Sequence, residues 1–397
     1  MEMENTTKPV QTWLEHIRQL SVVIGPRGST TPGERRGAEY CQSVLKKLGL
    51  APILEQYTSA ASMFHPHLLC GLLMLLSFIV YAFGGRLAAG IGAFIAIFSL
   101  ASELLELGFR DNFFRRVVPK GRSQNVVSVI PPAGEHRQDL VLIGHIDTQR
   151  TPIIFRSAAW VKAYQSFTTL AFVLFLAQVV LYVMGTIYQW GWIWYASIPS
   201  AVGAGLLVAI CIEADLSPYT AGANDNATAV GMVLTLAEAL KTDPLQHTRV
   251  YAVCTGCEEV QHSGAIDFFK RHRAEMKNPK GLVFEMLGCA GPAWETAEGI
   301  IVPFHPDAGM LHLIETLTAA HPEWGAYPAK ISGGNTELAD CVTFKVPALT
   351  LFGMTPRGGA PYWHQVADTF DKMDPQVMQK THNLTWTLIH ELDKRSI

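Results

Sequence analysis

The stretch "DLVLIGHIDT" (residues 139–148) decides how the chain is read. Its first half is rich in Leu, Val and Ile and predicts a β-strand, and its end delivers His145 and Asp147. Similar strands lie on both sides: "APILEQY" (51–57), "NVVSVIPP" (125–132), "RVYAVCTG" (249–256), "GLVFEMLG" (281–288) and "VPALTLFG" (346–353). Between them run helical segments. "TPGE" (31–34) opens one, with Thr31 as N-cap, Pro32 at the first helical position and Glu34 three residues beyond the cap; it stops at Gly49. Others follow "GANDN" and cover about 263–275, 307–320 and 374–394. Alternating strands and helices predict an α/β fold, a mixed and mainly parallel sheet flanked by helices.

Two long apolar tracts interrupt this pattern. Of the 397 residues 49% are hydrophobic and only 16% charged, against about 25% in ordinary soluble domains. No Asp, Glu, Lys or Arg occurs from Gln56 to Gly85, from Leu87 to Ser102, or through the 50 residues from Ala163 to Ile212. Spanning a bilayer takes roughly 20 apolar residues. The tracts therefore predict four spans, about 66–84, 87–107, 165–185 and 191–212, forming two hairpins turned at "FGGR" (83–86) and "GTIYQWGW" (185–192). The alternative is buried core helices of a soluble enzyme, although helices lacking any polar face are uncommon there. The expected organisation is a discontinuous catalytic domain (1–57, 116–151 and 216–397) with transmembrane hairpins at 58–115 and 152–215. The N-terminal segment carries acids and no apolar core, so no cleavable signal peptide is expected. Seven scattered cysteines argue against a disulfide framework, and "CTGC" (254–257) lacks the context of a redox or zinc motif. The net charge of −3 suggests no nucleic-acid partner.

His, Asp and Glu gather at five strand ends or tight loops: His145, Asp225, the pair Glu258 and Glu259, Glu285, and His364. In a parallel sheet such groups meet at the carboxyl edge. Singly, each reads as a loop residue or a solvated turn. Together, embedded in apolar or Gly-rich sequence, they suit a pair of zinc ions, which needs a bridging carboxylate, further His and carboxylate ligands, and a bridging water or hydroxide. Asp225 on its tight loop suits the bridge; the second Glu of the pair suits a ligand, leaving Glu258 free as general base. Asp147 and Asp368 are candidates to orient His145 and His364, with turn acids as the alternative.

The ordered set "IGPRGSTTPGERRGAEYCQSVLKKLG", "NVVSVIPP", "LIGHIDT", "GANDNATAV", "CEEV", "FEMLG" and "YWHQVADTFDKMD" resembles the co-catalytic zinc aminopeptidases, a family that includes bacterial leucyl aminopeptidases, glutamate carboxypeptidase II and, more distantly, glutaminyl cyclases. The resemblance covers everything but the apolar tracts. It implies His145, Asp225 and Glu285 around one metal, Asp225, Glu259 and His364 around the other, and Glu258 as base. Where the family usually has Asp, this chain has Glu285, one methylene longer, so another divalent transition metal is an alternative to zinc. The implied activity is hydrolysis of N-terminal residues from short peptides, membrane-associated ones included, by an enzyme embedded in a lipid bilayer. Alternatives are glutaminyl cyclase or other amide chemistry, and a catalytically silent receptor or scaffold. Segments 331–344 and 353–363 are expected to line the pocket, with Glu337 and Asp340 as candidates for the substrate ammonium.

Basic residues give an orientation. The hairpin turns carry only Arg86, whereas the catalytic-side flanks carry Arg110, Arg115, Arg116, Lys120, Arg122, Arg150, Arg156 and Lys162. The positive-inside rule then puts the catalytic domain and both termini in the cytoplasm. Both hairpins follow strands expected to run parallel, so the bundle is expected at the sheet edge that carries the metals.

Overall fold

The computed structural model describes residues 6–331, 333–356 and 358–395. Ser332 and Arg357, in the two segments expected to line the pocket, lie outside the described residues, as do both chain ends. In chain order the first elements are α1 (Lys8–Arg18), α2 (Pro32–Lys47), β1 (Ile53–Ala60), α3 (Phe64–Tyr81), α4 (Gly85–Leu107), α5 (Phe113–Val117), β2 (Lys120–Ile130) and β3 (Gln138–His145). Next come α6 (Ala158–Tyr188), α7 (Trp192–Ala196), α8 (Ile198–Leu216), α9 (Thr228–Thr242), β4 (Thr248–Thr255), α10 (Ser263–His272) and β5 (Lys280–Glu285). The chain closes with β6 (Ala293–Glu295), α11 (Ala308–Ala320), β7 (Tyr327–Ala329), α12 (Leu338–Thr343), β8 (Ala348–Phe352) and α13 (Pro375–Lys394). They form two compact units, one of residues up to Ser59, Gly121–Arg150 and from Tyr219 on, the other of Ala60–Lys120 and Thr151–Pro218.

The first unit is an α/β domain on an eight-stranded sheet of order β1-β2-β4-β3-β5-β8-β6-β7. The central strands β4, β3, β5 and β8 are mutually parallel, while β2 runs antiparallel to β4 and β6 antiparallel to β8. Every residue of β3 is buried, as its unbroken apolar run requires of a strand covered on both faces. Helix α9 packs on it so closely that a Cβ at Gly144 would fall 2.8 Å from the Ala229 backbone carbon, one residue before His145. Helix α1 buries Val10, Trp13, Leu14 and Ile17 at three- and four-residue spacing, and Trp13 Nε1 donates to the Thr228 carbonyl at 2.7 Å. Truncating Trp13 to Ala would cost about 3–5 kcal/mol.

The second unit holds four helices long and apolar enough to cross a membrane: α3, α4, α6 and α8. Helix α6, with 31 residues, is about 46 Å long, more than the roughly 30 Å that a span requires. The expected fourth span is interrupted: α7 ends at Ala196, and α8 restarts with Pro199 in its first turn, where a missing N–H costs nothing. Polar groups face inward in this bundle. Gln178 is fully buried, donating to the Met74 carbonyl and Ser77 Oγ at 3.3 Å each, and accepting from Ser200 Oγ at 2.5 Å. Tyr182 Oη meets Ser197 Oγ at 2.9 Å and its ring stacks on Tyr81. Outward positions are apolar, among them Leu72, Ile79, Phe94, Leu170, Val180 and Leu206. Buried polar pairs within an apolar interior, and an apolar exterior around it, set this bundle apart from a soluble one, whose exterior is polar.

Candidate metal centre

The parallel register aligns the carboxyl ends of four central strands: His145 on β3 sits opposite Thr255 on β4, and Glu285 ends β5 opposite Phe352 of β8. Beyond Thr255 the chain turns through Cys257, whose backbone is left-handed (φ 46°), and presents Glu258 and Glu259. Asp225 comes from the kinked turn 223–227 ahead of α9, entered through left-handed Gly222 (φ 60°). A Cβ on Gly222 would meet the Thr148 methyl at 2.2 Å and the Asp225 carbonyl at 2.5 Å, so only glycine fits. His364 projects from the loop before α13.

These side chains converge. Two sets have ligand atoms within 4.8 Å of one another and share Asp225: His145 with Asp225 and Glu285, and His364 with Asp225 and Glu259. His145 Nε2 lies 3.4 Å from Asp225 Oδ1 and 3.5 Å from Glu285 Oε2. His364 Nε2 lies 3.3 Å from both Asp225 Oδ2 and Glu259 Oε1. Such separations are long for hydrogen bonds. They match the edges of a tetrahedron around zinc, where bonds near 2.0–2.1 Å put neighbouring ligands roughly 3.3–3.4 Å apart. Asp225 Oδ2 and Glu259 Oε1 are buried without a hydrogen-bond partner, which is costly unless a cation completes them. The donor set thus fits a pair of hard or borderline divalent ions.

Electrostatics agree. Burial pushes Glu285 up to about 8 and Glu259 up to about 7, the nearby imidazoles offsetting only part of the effect. Burial also works to raise Asp225, but the imidazoles of His145 and His364 beside it outweigh that and hold it well below the usual carboxylate range. Carboxylates that resist ionisation in one dry volume are what a bound cation relieves.

The surrounding bonds differ from the expected ones. His145 Nδ1 meets the backbone carbonyl of Asp147 at 3.0 Å, its carboxylate only at 3.6 Å. The Asp147 carboxylate instead accepts from Ser29 Oγ at 2.6 Å and from the N–H groups of Glu258 (3.0 Å) and Glu259 (3.1 Å). It fixes the glutamate loop, and the carbonyl orients the imidazole. Asp368 likewise accepts from the N–H groups of Asn224 (2.6 Å) and Asp225 (3.0 Å), so it fixes the Asp225 turn. Glu285 is held by Asn226 Nδ2 at 2.9 Å, and Glu259 by Gln149 Nε2 at 2.9 Å. Glu258 stands beside both sets, its Oε2 3.6 Å from His145 Nε2. Of the two candidates for the substrate ammonium, Glu337 is bonded to Thr255 Oγ1 at 2.5 Å and Asp340 to His262 Nδ1 at 2.7 Å. Sequence reasoning missed Arg27, fully buried within "IGPRG", which donates to five backbone carbonyls. A lone Arg in an otherwise apolar, Gly-rich segment was the available signal.

Residues 206–389, a little under half the chain, match peptidase family M28. The matched part includes Asp225, Glu258, Glu259, Glu285 and His364, and lies beyond His145. Among the curated proteins compared, none matches. The fold is shared with a zinc aminopeptidase from Bacillus subtilis (TM-score 0.57, 12% identity, covering 96% of this chain and 95% of that one). A Zn-dependent exopeptidase from Parabacteroides distasonis has TM-score 0.55 and 11% identity, covering 96% and 97%. A glutaminyl cyclase from Porphyromonas gingivalis has TM-score 0.57 and 12% identity, covering 96% and 98%. The partial family match and the shared fold make zinc-dependent exopeptidases of the M28 type the proteins this chain is similar to.

Proposed function

We propose that the chain is a membrane-embedded aminopeptidase that holds two zinc ions and removes N-terminal residues from short peptides. The observation that carries this reading is the pair of ligand sets joined through Asp225. His145, Asp225 and Glu285 hold one ion; Asp225, Glu259 and His364 hold the other. Zinc there supplies Lewis-acid polarisation of a carbonyl and acidifies water. Glu258 is the general base: it takes the proton of the attacking water and delivers it to the leaving amine nitrogen. Asp147 keeps Glu258 beside the ligands by holding its backbone N–H. Asn226 and Gln149 keep Glu285 and Glu259 turned inward. Glutaminyl cyclases share the fold; the completeness of both ligand sets favours hydrolysis over cyclisation.

Membrane embedding rests on the four long apolar helices and on their apolar exterior, with Gln178 inside and leucines, valines and phenylalanines outside. The basic flanks put the catalytic domain and both termini in the cytoplasm, where lipid-partitioned peptides are accessible substrates. The test is release of N-terminal amino acids from a peptide library by detergent-purified protein, with metal content measured in parallel. Release that a chelator abolishes and zinc restores is expected, at two ions per chain. Release that survives complete metal removal refutes the reading.

A further inference from the structure

His262 stands apart from both ligand sets, yet it touches the group assigned as base. Its Nε2 lies 3.2 Å from Glu258 Oε1 and its Nδ1 lies 2.7 Å from Asp340 Oδ2. All three side chains are buried: His262 is 3% exposed, Asp340 6% and Glu258 8%. The imidazole is thus clamped between a carboxylate on α12 and the carboxylate that faces the ligands.

The backbone is bent to achieve this. Gln261 and His262 are consecutive non-glycine residues in the left-handed region (φ 60° and 52°), immediately before α10. Such a conformation is unfavourable for side chains with a Cβ, and it persists only where the surroundings over-determine it. Here the His262 N–H donates to the Glu258 carbonyl at 2.8 Å and the Ser263 N–H to the Cys257 carbonyl at 2.9 Å, which closes the turn. The turn carries the imidazole back beneath the residue four positions earlier. A leucine at 262 would fill much of the same buried volume but leave Glu258 Oε1 and Asp340 Oδ2 without this partner, so it is the two carboxylates and not packing that call for histidine. With Oε1 held by His262, rotation of the Glu258 carboxylate is blocked and Oε2 stays on the His145 side, 3.6 Å from Nε2.

We propose that His262, anchored by Asp340, is a positioning residue that locks the carboxylate of Glu258 in the orientation its base role requires. This rests on the reading of Glu258 as the base. Preorganisation of a base is felt in turnover more than in substrate binding. A residue acting only through Glu258 also has nothing further to lose once Glu258 is gone.

The experiment uses the full chain in nanodiscs, with His262→Leu, His262→Gln, Asp340→Ala, Glu258→Gln and the double variant Glu258→Gln/His262→Leu. The expected result is a ten- to hundredfold fall in kcat for His262→Leu, with KM within threefold of wild type and metal content unchanged. His262→Gln, which keeps one donor, should recover part of the loss, and the double variant should be no slower than Glu258→Gln alone. Losses that multiply in the double variant, a kcat within threefold of wild type, or loss of metal in the His262 variants each overturn the proposal. Should His262→Leu not fold, Asp340→Ala keeps the imidazole and removes its anchor; an unchanged kcat there overturns it equally. Nitrogen-15 spectra of histidine-labelled wild-type protein give a readout independent of turnover. The signal missing from His262→Gln should show both ring nitrogens bearing protons, one for each carboxylate, and an unprotonated Nε2 refutes the clamp. A wild-type chain that cleaves no peptide refutes the aminopeptidase reading instead, and the spectrum still decides the clamp.

Discussion

Replacing Arg27 by Met tests whether the two ligand sets are held in register from beneath. The guanidinium is fully buried and makes five bonds to backbone carbonyls. Nε donates to Ile146 (2.8 Å); Nη1 donates to Leu20 (2.8 Å), Gly25 (3.0 Å) and Ala221 (2.9 Å); Nη2 donates to Gly222 (2.8 Å). Ile146 follows His145, and Gly222 lies three residues before Asp225, so one side chain ties together the segments that carry both ligands. Burial lowers the Arg27 pKa to about 10, partly countered by Asp368 and other nearby acidic groups, so it stays charged at neutral pH. Methionine keeps much of the volume and removes every donor. Each orphaned carbonyl would cost about 1–3 kcal/mol in isolation, but relaxation and water entry limit the sum. Breaking one buried charged cluster costs about 3–5 kcal/mol. At about 2–4 °C per kcal/mol for a domain of this size, the melting temperature should fall by roughly 6–20 °C. Zinc affinity should fall about 10- to 100-fold, as when a group supporting the ligands is lost. Differential scanning calorimetry of the zinc-loaded and stripped protein, with chelator competition, measures both. A variant that melts within 2 °C of wild type and holds zinc equally well refutes the assignment of Arg27 as the tie.

Glu258→Gln should retain both zinc ions while kcat falls about 10²- to 10⁴-fold, since the base is lost and the ligands remain; near wild-type turnover would show that another group takes the proton. Burial lowers the His16 pKa to about 4 from an unfolded value of 6.5, with Glu15 opposing. The folded chain therefore refuses a proton that the unfolded chain accepts, and this stability is complete above pH 6.5 and lost as pH falls toward 4, by at most about 3 kcal/mol. Melting curves of His16→Phe should be flatter than wild type across that window, and identical slopes would discount His16. In right-side-out vesicles, added protease should leave both termini intact, and cleavage there would reverse the proposed orientation.

Much of this was legible in the sequence because the signals were local. Thr31, Pro32 and Gly49 bracket α2, and Thr31 Oγ1 does accept from the Gly33 N–H. The apolar run of β3 and the charge-free tracts give strand and helices by composition alone. Candidate ligands were legible only as an ordered set, since each alone reads as a loop residue or a solvated turn. What failed was direction. Asp147 lies two residues from His145 and Asp368 four from His364, which suggested carboxylate–imidazole pairs. Their carboxylates turn to backbone N–H groups across the loops instead, because those buried donors have no other partner. Helix α1 carried a readable pattern in Val10, Trp13, Leu14 and Ile17, passed over in a segment considered only for sorting signals. Strands β6 and β7, three residues each, are defined by pairing and leave no periodicity to read. His262 was hidden for a related reason: nothing local announces two left-handed residues in a row.

The strand order has a consequence for synthesis. Strand β3 lies between β4 and β5, and both of these partners are translated after the second apolar hairpin. About 100 residues separate His145 from the first residue of β4. At about 5–20 residues per second, the fully buried strand β3 waits roughly 5–20 s on the ribosome with both edges open. During that interval it is a template for wrong pairing. Whatever slows delivery of helices α6 and α8 lengthens the exposure, so lesions in those helices should appear first as poor yield of folded enzyme, while the molecules that do mature keep normal turnover.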